Sequence, residues 1–468
     1  MKRVIIVGGG ITGLAAAYTL EKRKQDVEYL LLEKERRLGG KIITERKDGF
    51  LVEGGPDCYL AAKPSVTQLA QEVGLSHRLI GTNDEHKGTF VFSEGRLHTL
   101  PEGLMMLVPT KIIPFALSPL ISWPGKFRMA LDFVLPSKKN NYDETLKSFV
   151  LRRLGQEALD KIAEPLIGGI HGGDPDTMSL RASFPRFLDM EQKYGSLVRA
   201  MLAARKRAPQ ARSVGPKTGP STFFVSFQDG MGELVEGIRG QLHGRIIEGC
   251  AVTSFKKQGS GYRVKVSGGE EFDSDALILA VPAPQAAELL SPLDEVAAQN
   301  LSAIPMASSA TVSLGYRRDQ IPFPLTSFGF MIPHVEGRKI NAVTYTSVKW
   351  HYRVPGEDHV LLRTFLGGAK NSPLAHADDS VILSWVKEEF RDILGITAEP
   401  VMTGVRHWLN ARPQYTLGHL ERIALVEDRI QKFSGLFLAG ASYRGIGVPD
   451  CVTDGIKVAE KTLELLTT

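Results

Sequence analysis

The stretch Val4-Ile5-Ile6-Val7-Gly8-Gly9-Gly10-Ile11-Thr12-Gly13-Leu14-Ala15-Ala16-Ala17 decides the fold. Its apolar, β-branched start predicts a buried parallel strand that ends at Val7. The next six residues fit the pattern G-x-G-x-x-G, and good helix formers follow them. A second apolar run, residues 29–32, ends at Glu33, which follows the last glycine of the pattern by 20 residues. Strand, glycine turn, helix, strand and acid in this order predict a dinucleotide-binding βαβ unit.

Each part of this unit has a physical task. Gly8 permits the tight turn from strand to helix, and Gly10 lets a pyrophosphate approach the backbone N–H groups at the helix N-terminus. Gly13 lets the helix pack closely on the strand, and the Glu33 carboxylate accepts hydrogen bonds from a ribose. We therefore assign the whole loop and the acid to cofactor binding: Gly8, Gly9, Gly10, Ile11, Thr12, Gly13 and Glu33.

The residues after the acid indicate which dinucleotide is bound. The segment from Lys34 to Lys41 contains the pair Gly39-Gly40, and it resembles the corresponding segment of FAD-dependent amine oxidases and their relatives. In that superfamily the segment runs along the flavin, so the resemblance implies FAD rather than NAD. It also implies cofactor contacts for Lys34, Gly40 and Lys41.

Composition excludes several classes of protein. The chain has 468 residues, of which 43% are hydrophobic and 23% are charged, as in a globular protein of two or three domains. Its net charge of +5 is dispersed and does not indicate a nucleic-acid partner. The three cysteines, Cys58, Cys250 and Cys451, are far apart, so neither a metal site nor a disulfide framework is predicted. Met1 leads directly into the first strand and leaves no room for a signal peptide, so we expect a cytoplasmic protein.

The most apolar region runs from Gly103 to Trp123, and Lys111 and several prolines interrupt it. A membrane-spanning helix needs about 20 largely unbroken apolar residues, so we expect no span. Two interpretations remain: a buried helical layer, which we favour, and a patch that contacts a membrane or a substrate channel. Peripheral membrane contact is thus left open, as is the oligomeric state.

The rest of the chain predicts further α/β structure. Residues 142–170 read as one helix, and residues 205–219, which are rich in basic residues, Gly and Pro, read as a loop. Strand patterns at 276–280 and 436–441 resemble strands that return to the cofactor sheet. We predict an α/β fold with a Rossmann-like FAD-binding domain (1–56, 222–284 and 425–468), a mixed-sheet substrate-binding domain (57–86, 196–221 and 285–424) and an inserted helical domain (87–195).

Four motifs carry a narrower resemblance. They are Glu53-Gly54-Gly55-Pro56-Asp57, Glu164-Pro165-Leu166-Ile167-Gly168-Gly169-Ile170-His171-Gly172-Gly173-Asp174, Arg412-Pro413-Gln414-Tyr415-Thr416-Leu417-Gly418-His419 and Gly445-Ile446-Gly447-Val448-Pro449-Asp450-Cys451. Together they resemble the oxygen-dependent protoporphyrinogen and coproporphyrinogen III oxidase family of haem synthesis. The resemblance covers essentially the whole chain, and it is greatest to the soluble coproporphyrinogen III oxidases of bacteria.

The resemblance implies a reaction and a set of site residues. The family holds FAD non-covalently and oxidises a porphyrinogen to a porphyrin in three two-electron steps, with O₂ reoxidising the flavin and H₂O₂ released. Further cofactor contacts are implied for Gly55, Pro56, Asp57, Val252, Trp408, Gly440, Ile446, Gly447 and Val448. Substrate contacts are implied for Lys63 at a propionate, for the Gly169 carbonyl at the pyrrole N–H groups, and for Phe328, Met331 and Phe365 around the macrocycle. No general base is assigned.

Other interpretations stay open on the residues alone. Phe328, Met331 and Phe365 are individually compatible with an ordinary apolar core. The chain is also compatible with another amine-oxidase-like flavoenzyme, such as a carotenoid desaturase or a polyamine oxidase, or with a carrier that binds flavin or porphyrin without turnover. Lys63 and its apolar companions do not suit the cationic substrate of an amine oxidase.

Overall fold

The computed structural model describes residues 1–23, 27–86, 88–101, 104–105, 107–109, 111–140, 142–211, 220 and 222–467. Within these ranges the strands are β1 Lys2–Val7, β2 Val27–Leu32, β3 Thr44–Lys47, β4 Phe50–Glu53, β5 Tyr59–Leu60, β6 Leu79–Gly81, β7 Phe90–Ser93, β8 Arg96–Thr99, β9 Leu104–Met105, β10 Val108–Pro109, β11 Phe224–Phe227, β12 Arg245–Ile247, β13 Val252–Gln258, β14 Gly261–Val266, β15 Glu271–Ser274, β16 Ala276–Leu279, β17 Met306–Arg317, β18 Gly329–Met331, β19 Ile340–Tyr345, β20 His359–Gly367, β21 Met402–Pro413 and β22 Leu436–Leu438.

The helices lie between or after these strands along the chain. They are α1 Ile11–Arg23, α2 Ser65–Glu72, α3 Ile112–Leu117, α4 Trp123–Ala130, α5 Leu146–Arg153, α6 Gln156–Ala158, α7 Glu164–His171, α8 Leu180–Ser183, α9 Pro185–Tyr194, α10 Leu197–Ala211, α11 Gly232–Arg239, α12 Ala283–Leu290, α13 Glu295–Ser302, α14 Thr346–Lys349, α15 Asp379–Leu394, α16 His419–Ile430 and α17 Val448–Thr467. Those from α3 to α10 follow one another between β10 and β11.

A five-stranded parallel sheet in the order β12-β2-β1-β16-β22 forms the first core. Its central strand buries Val4, Ile5 and Ile6 completely, because helices cover one face and the antiparallel β13-β14-β15 sheet covers the other. Helices α1 and α17 pack so closely that a Cβ at Gly455 would lie 2.2 Å from the Thr12 carbonyl oxygen. The predicted Rossmann-like unit and the late strands that return to it are confirmed.

A seven-stranded mixed sheet in the order β21-β17-β20-β19-β18-β7-β8 forms the second core. It is mixed because β18 pairs with β7 in parallel, whereas its other pairs are antiparallel. Helix α15 packs on one face through Ile382, Val386 and Phe390, and a helical cluster covers much of the other. The predicted mixed sheet is confirmed, and it also takes in β7 and β8, which lie inside the segment predicted to be helical.

The predicted helix at 142–170 is wrong as a single element. Gly155 has φ +94°, a left-handed conformation that ends α5, and a π-helical turn at Leu159–Ala163 separates α6 from α7. The apolar residues that share one face in this helical pattern are nevertheless buried in the helical cluster: Leu146, Phe149, Val150, Leu154, Leu159 and Ile162. Of the loop predicted at 205–219, residues up to 211 continue helix α10, and residues 212–219 lie outside the described part of the chain.

The apolar region that begins at Gly103, itself outside the described residues, is divided between core and surface. Phe115, Leu120 and Ile121 are buried, whereas Ile113 is 72% exposed and Leu117 is 78% exposed. A fully buried layer is therefore wrong for this region, because its short helices turn one side outward. Across the described ranges, no helix has the length and apolarity needed to cross a membrane.

Candidate functional site

The glycine loop after β1 leaves open space where a pyrophosphate would approach. A Cβ at Gly10 would meet nothing nearer than the Gly40 Cα, 4.0 Å away, so the front of the loop is clear. At the back the backbone is tightly packed, because a Cβ at Gly13 would lie 1.9 Å from the Gly8 carbonyl oxygen. Ile11 and Thr12 begin α1 and are buried. This open front at a helix N-terminus fits the phosphates of a dinucleotide.

Glu33 lies at the end of β2, beside this loop. Its Oε2 accepts a hydrogen bond from the Gly9 N–H at 2.6 Å, and its Oε1 accepts one from the Glu35 N–H at 2.9 Å. Each carboxylate oxygen has a second lone pair, so the group can still accept from a ribose hydroxyl. The Glu33 carbonyl accepts from the Cys250 N–H at 2.8 Å, which brings half-buried Val252 close to the same end of the sheet. Lys34 is exposed and pairs with Glu35.

The Gly39-Gly40 pair brings a lysine to the glycine loop. The Gly39 N–H donates to the Gly9 carbonyl at 2.8 Å, and both glycines have positive φ values. The Lys41 ammonium donates to the Ala411 carbonyl, and the side chain is accessible to water although protein encloses it on most sides. Burial, together with the nearby Arg412 guanidinium, lowers the pKa of Lys41 to about 8. A bound anion would favour the charged form of this lysine.

The segment from Gly54 to Asp57 lies against the seven-stranded sheet. The Trp408 indole N–H donates to the Gly54 carbonyl at 2.8 Å, and the Thr311 hydroxyl donates to the same carbonyl at 3.0 Å. The Arg363 guanidinium donates to the Gly55 carbonyl. A Cβ at Gly55 would lie 1.8 Å from the Lys41 carbonyl oxygen, so only glycine fits there. The structure thus brings Gly55, Lys41 and Trp408 together, as predicted for cofactor residues.

Buried charges hold the two ends of this segment. Asp57 accepts a hydrogen bond from the Lys349 ammonium at 3.0 Å and another from the Trp350 indole N–H at 3.2 Å. Burial alone would raise the pKa of Asp57, but nearby cations, of which Lys349 has the largest effect, hold this pKa well below its usual range. Glu53 pairs with Arg353 at 3.2 Å, but burial still raises the pKa of Glu53. Pro56, between these two anchors, is half-buried.

A second glycine turn lies at the start of α17. The Gly445 N–H donates to the Tyr415 hydroxyl at 2.8 Å, and that hydroxyl donates to the Ala441 carbonyl at 2.7 Å. The Tyr415 ring stacks on His419 with centroids 3.9 Å apart. This arrangement fixes the turn that contains the predicted cofactor residues, which are Gly440, Ile446, Gly447 and Val448. Helix α17 begins at Val448, directly after Gly447.

The predicted substrate residues fall into two groups. Direct strand pairing places Val91, Met331, Ala342, Phe365 and Thr311 in one row across the seven-stranded sheet. Side chains of directly paired residues share one face of the sheet. The apolar row therefore ends at Thr311, whose hydroxyl donates to the Gly54 carbonyl. Met331 packs with the helical cluster, and half-buried Phe328 precedes β18.

Lys63 is placed elsewhere. Its ammonium is bound by both Asp450 carboxylate oxygens, at 2.6 and 2.7 Å, beside the second glycine turn. No hydrogen bond or ion pair links Lys63 to the apolar row in the described part of the chain. Gly169 lies near the C-terminal end of α7. The substrate roles of Lys63, Gly169, Phe328, Met331 and Phe365 stay predictions.

Sequence reasoning missed several polar residues that shape the site: Thr311, Lys349, Arg363 and Arg412. Each comes from a strand or short helix far along the chain from the segment that it contacts. Strand alternation could have placed Arg363 and Phe365 on one face, and their cation–ring distance is 4.9 Å. Within the described ranges, no group of His, Cys, Asp and Glu side chains is placed to hold a metal ion.

Comparison with known proteins agrees with this geometry. Residues 11–463 match the family of flavin containing amine oxidoreductases, and the chain belongs to that family. It is 36% identical to the coproporphyrinogen III oxidase of Bacillus subtilis, covering 99% of this chain and 98% of that protein. It is 30% identical to the coproporphyrinogen III oxidase of Staphylococcus aureus, covering 99% of both chains.

A solved structure matches over the same length. The crystal structure of a protein from Exiguobacterium sp. 255-15, which has been assigned as a protoporphyrinogen oxidase, superposes with a TM-score of 0.88 at 33% identity. The match covers 100% of this chain and 99% of that one. The fold is therefore that of an FAD-dependent oxidase of the amine oxidase type, and FAD is the cofactor that it holds.

Proposed function

We propose that this chain is an oxygen-dependent oxidase that converts a porphyrinogen to a porphyrin in haem biosynthesis, with coproporphyrinogen III as its preferred substrate. One observation carries the proposal. A single face of the seven-stranded sheet holds the Gly54 carbonyl through Thr311 and Trp408, and the same face continues into the apolar row of Phe365, Ala342 and Met331. A flat apolar macrocycle needs such a wall beside its cofactor.

The residues of the first core fit FAD in an extended position. The open loop at Gly10 would hold the pyrophosphate, Glu33 the ribose, and the turn before Val448 the flavin end. Burial raises the pKa of Cys451 to about 11, so its thiol stays protonated at neutral pH and is a poor nucleophile. This supports non-covalent binding of the flavin.

Bound FAD would supply two-electron oxidation of the substrate and the subsequent reaction with O₂. The protein orients the substrate: Trp408 and Arg363 fix the Gly54-Gly55 backbone, and the apolar row excludes water from the adjoining face. Six electrons leave a porphyrinogen when it becomes a porphyrin, so three molecules of O₂ give three of H₂O₂. The relatives named as coproporphyrinogen III oxidases support the choice of substrate.

Anaerobic mixing of the FAD-loaded protein with excess coproporphyrinogen III tests the proposal. An enzyme loses its flavin absorbance within the time of one turnover and regains it when O₂ is admitted. A carrier that binds without turnover keeps its flavin oxidised, and that result would refute the proposed reaction. Adding putrescine or another small amine in place of porphyrinogen is the control, and we expect no reduction.

The exposed apolar residues of α3 and α4 support peripheral contact of a cytoplasmic protein with an anionic membrane. Trp123 is 62% exposed and Phe127 is 70% exposed, with ring centroids 6.4 Å apart. The Lys126 ammonium lies 4.5 Å from the Trp123 ring centroid. Aromatic side chains next to a lysine suit the interface between lipid headgroups and acyl chains.

We propose the same three domains as the sequence predicts, with one change of boundary. Strands β7 and β8 pair in the seven-stranded sheet, so residues 90–99 are assigned to the substrate-binding domain. The helical domain then begins after Thr99. It covers one side of the apolar row through residues such as Ile162, Ile167 and Leu180.

A further inference from the structure

Arg412 is a partly enclosed cation with no anionic partner among the described side chains. It lies near the end of β21, where it pairs with Ala307, and its side chain is half-buried. Burial lowers the pKa of Arg412, and no carboxylate opposes that effect. Among the residues whose side chains the structure describes, the guanidinium makes no hydrogen bond and no ion pair.

Fully buried arginines elsewhere in the chain are compensated. Arg153 is paired with Asp132 and donates to several backbone carbonyls, and Arg353 is paired with Glu53. A partly enclosed guanidinium whose five N–H donors meet no protein acceptor has lost part of its hydration without gaining a partner. The contrast indicates that an anion from outside the chain completes the Arg412 site.

The neighbours of Arg412 show which part of the site it lies in. Lys41 is a near neighbour, because its ammonium donates to the carbonyl of Ala411, the residue before Arg412. Gly172 is another, because an added Cβ there would come within 2.4 Å of the arginine Nη1. Arg412 therefore lies near both the cofactor segment and Gly172, which follows α7 three positions beyond Gly169.

We propose that Arg412 binds a propionate carboxylate of the porphyrinogen and so anchors the macrocycle in the site. This inference rests on the proposed function and deepens it. The planar fork of a guanidinium matches a carboxylate in two parallel hydrogen bonds, which a lysine cannot make. The phosphates of the cofactor belong at the loop from Gly8 to Gly13, where backbone N–H groups serve them, and Lys41 lies between that loop and Arg412.

Lys63 is a weaker candidate for the same carboxylate. Both oxygens of Asp450 already neutralise its ammonium. Arg412 has no such competitor among the described side chains. It is a specificity-determining residue that the sequence analysis quoted only as part of a motif, without assigning it a role.

The test compares Arg412→Gln and Arg412→Lys with the FAD-loaded wild type. A charge-assisted hydrogen bond contributes about 1.5–3 kcal/mol, so Arg412→Gln should raise KM for coproporphyrinogen III about tenfold or more. The dissociation constant of the product porphyrin, measured by fluorescence, should rise equally, with kcat, FAD content and the flavin spectrum unchanged. Arg412→Lys should give an intermediate KM. Arg317→Gln, at the far end of the adjacent strand β17, is the matched control and should change nothing.

A substrate without charge separates this role from a structural one. With the tetraamide of coproporphyrinogen III, wild type and Arg412→Gln should have the same KM. The proposal is overturned by an unchanged KM and porphyrin affinity, by an equal rise with the tetraamide, or by a folded variant that loses FAD. If Arg412→Gln does not fold, an unchanged KM in Arg412→Lys overturns it. Absence of any turnover in the wild type would instead refute the proposed function, and this inference with it.

Discussion

A substitution at Gly10 tests cofactor binding separately from folding. A valine there meets open space in the protein, whereas a valine at Gly13 would collide with the Gly8 carbonyl oxygen. Gly10→Val should therefore fold normally and bind FAD about 10- to 100-fold more weakly, since charge-assisted phosphate bonds are lost. Thermal unfolding of the apo-protein and FAD titration measure the two effects. Flavin retained at wild-type stoichiometry and affinity would contradict the assignment of this loop.

Lys41 gives FAD binding a dependence on pH. Its pKa is lowered to about 8, chiefly by burial, so the free ammonium loses its proton as pH rises through that value. A cofactor anion favours the charged form, so binding must then take up a proton. We expect the FAD dissociation constant to rise by about tenfold between pH 7 and pH 9 in the wild type and to stay level in Lys41→Met. A level profile in the wild type would remove Lys41 from the cofactor site.

Sequence patterns identify individual site residues when the motif that contains them has a fixed local geometry. Gly8, Gly10 and Glu33 belong to one βαβ unit, so their spacing alone places them together. Arg363 and Arg412 gave no such signal, because their neighbours are brought to them by strand pairing and by a turn far along the chain. Long-range register of this kind cannot be read from local spacing.

At the scale of elements, buried strands were the most predictable part of the chain. The runs that became β1, β2, β16 and β22 are continuously apolar, as parallel strands covered on both faces require. The helix predicted at 142–170 failed at Gly155, where a left-handed residue ends α5 although the apolar pattern continues beyond it. Periodicity records which side of an element is buried, but not where the backbone turns between two elements that share the same core.

Helices α3 and α4 lead to a prediction about membranes. Vesicles that contain anionic phospholipid should co-sediment the wild type and blue-shift its tryptophan fluorescence, because Trp123 enters the headgroup region. Replacing both Trp123 and Phe127 by serine should abolish most of this binding without loss of turnover. Val335→Ser, at a residue that is 65% exposed in a different part of the structure, is the control. Wild-type protein left in the supernatant would contradict a membrane role for these helices.

At the scale of the whole molecule, the two sheets have different roles. The parallel sheet places the glycine loop, Glu33 and the second glycine turn at one edge, where an extended cofactor fits. The seven-stranded sheet holds the Gly54-Gly55 segment at one end of a row and an apolar wall along the rest. The helical cluster packs against that wall. This division explains why the cofactor was predictable from sequence, whereas the substrate site needed the packing of distant segments.

The central claim is that this arrangement oxidises porphyrinogens, and coproporphyrinogen III best. Parallel aerobic assays with coproporphyrinogen III and protoporphyrinogen IX, following porphyrin fluorescence and peroxide, test it most directly. We predict porphyrin from both substrates, a higher kcat/KM for coproporphyrinogen III, and about three molecules of H₂O₂ for each macrocycle oxidised. A higher kcat/KM for protoporphyrinogen IX would contradict the assigned substrate, and no porphyrin from either would contradict the account as a whole.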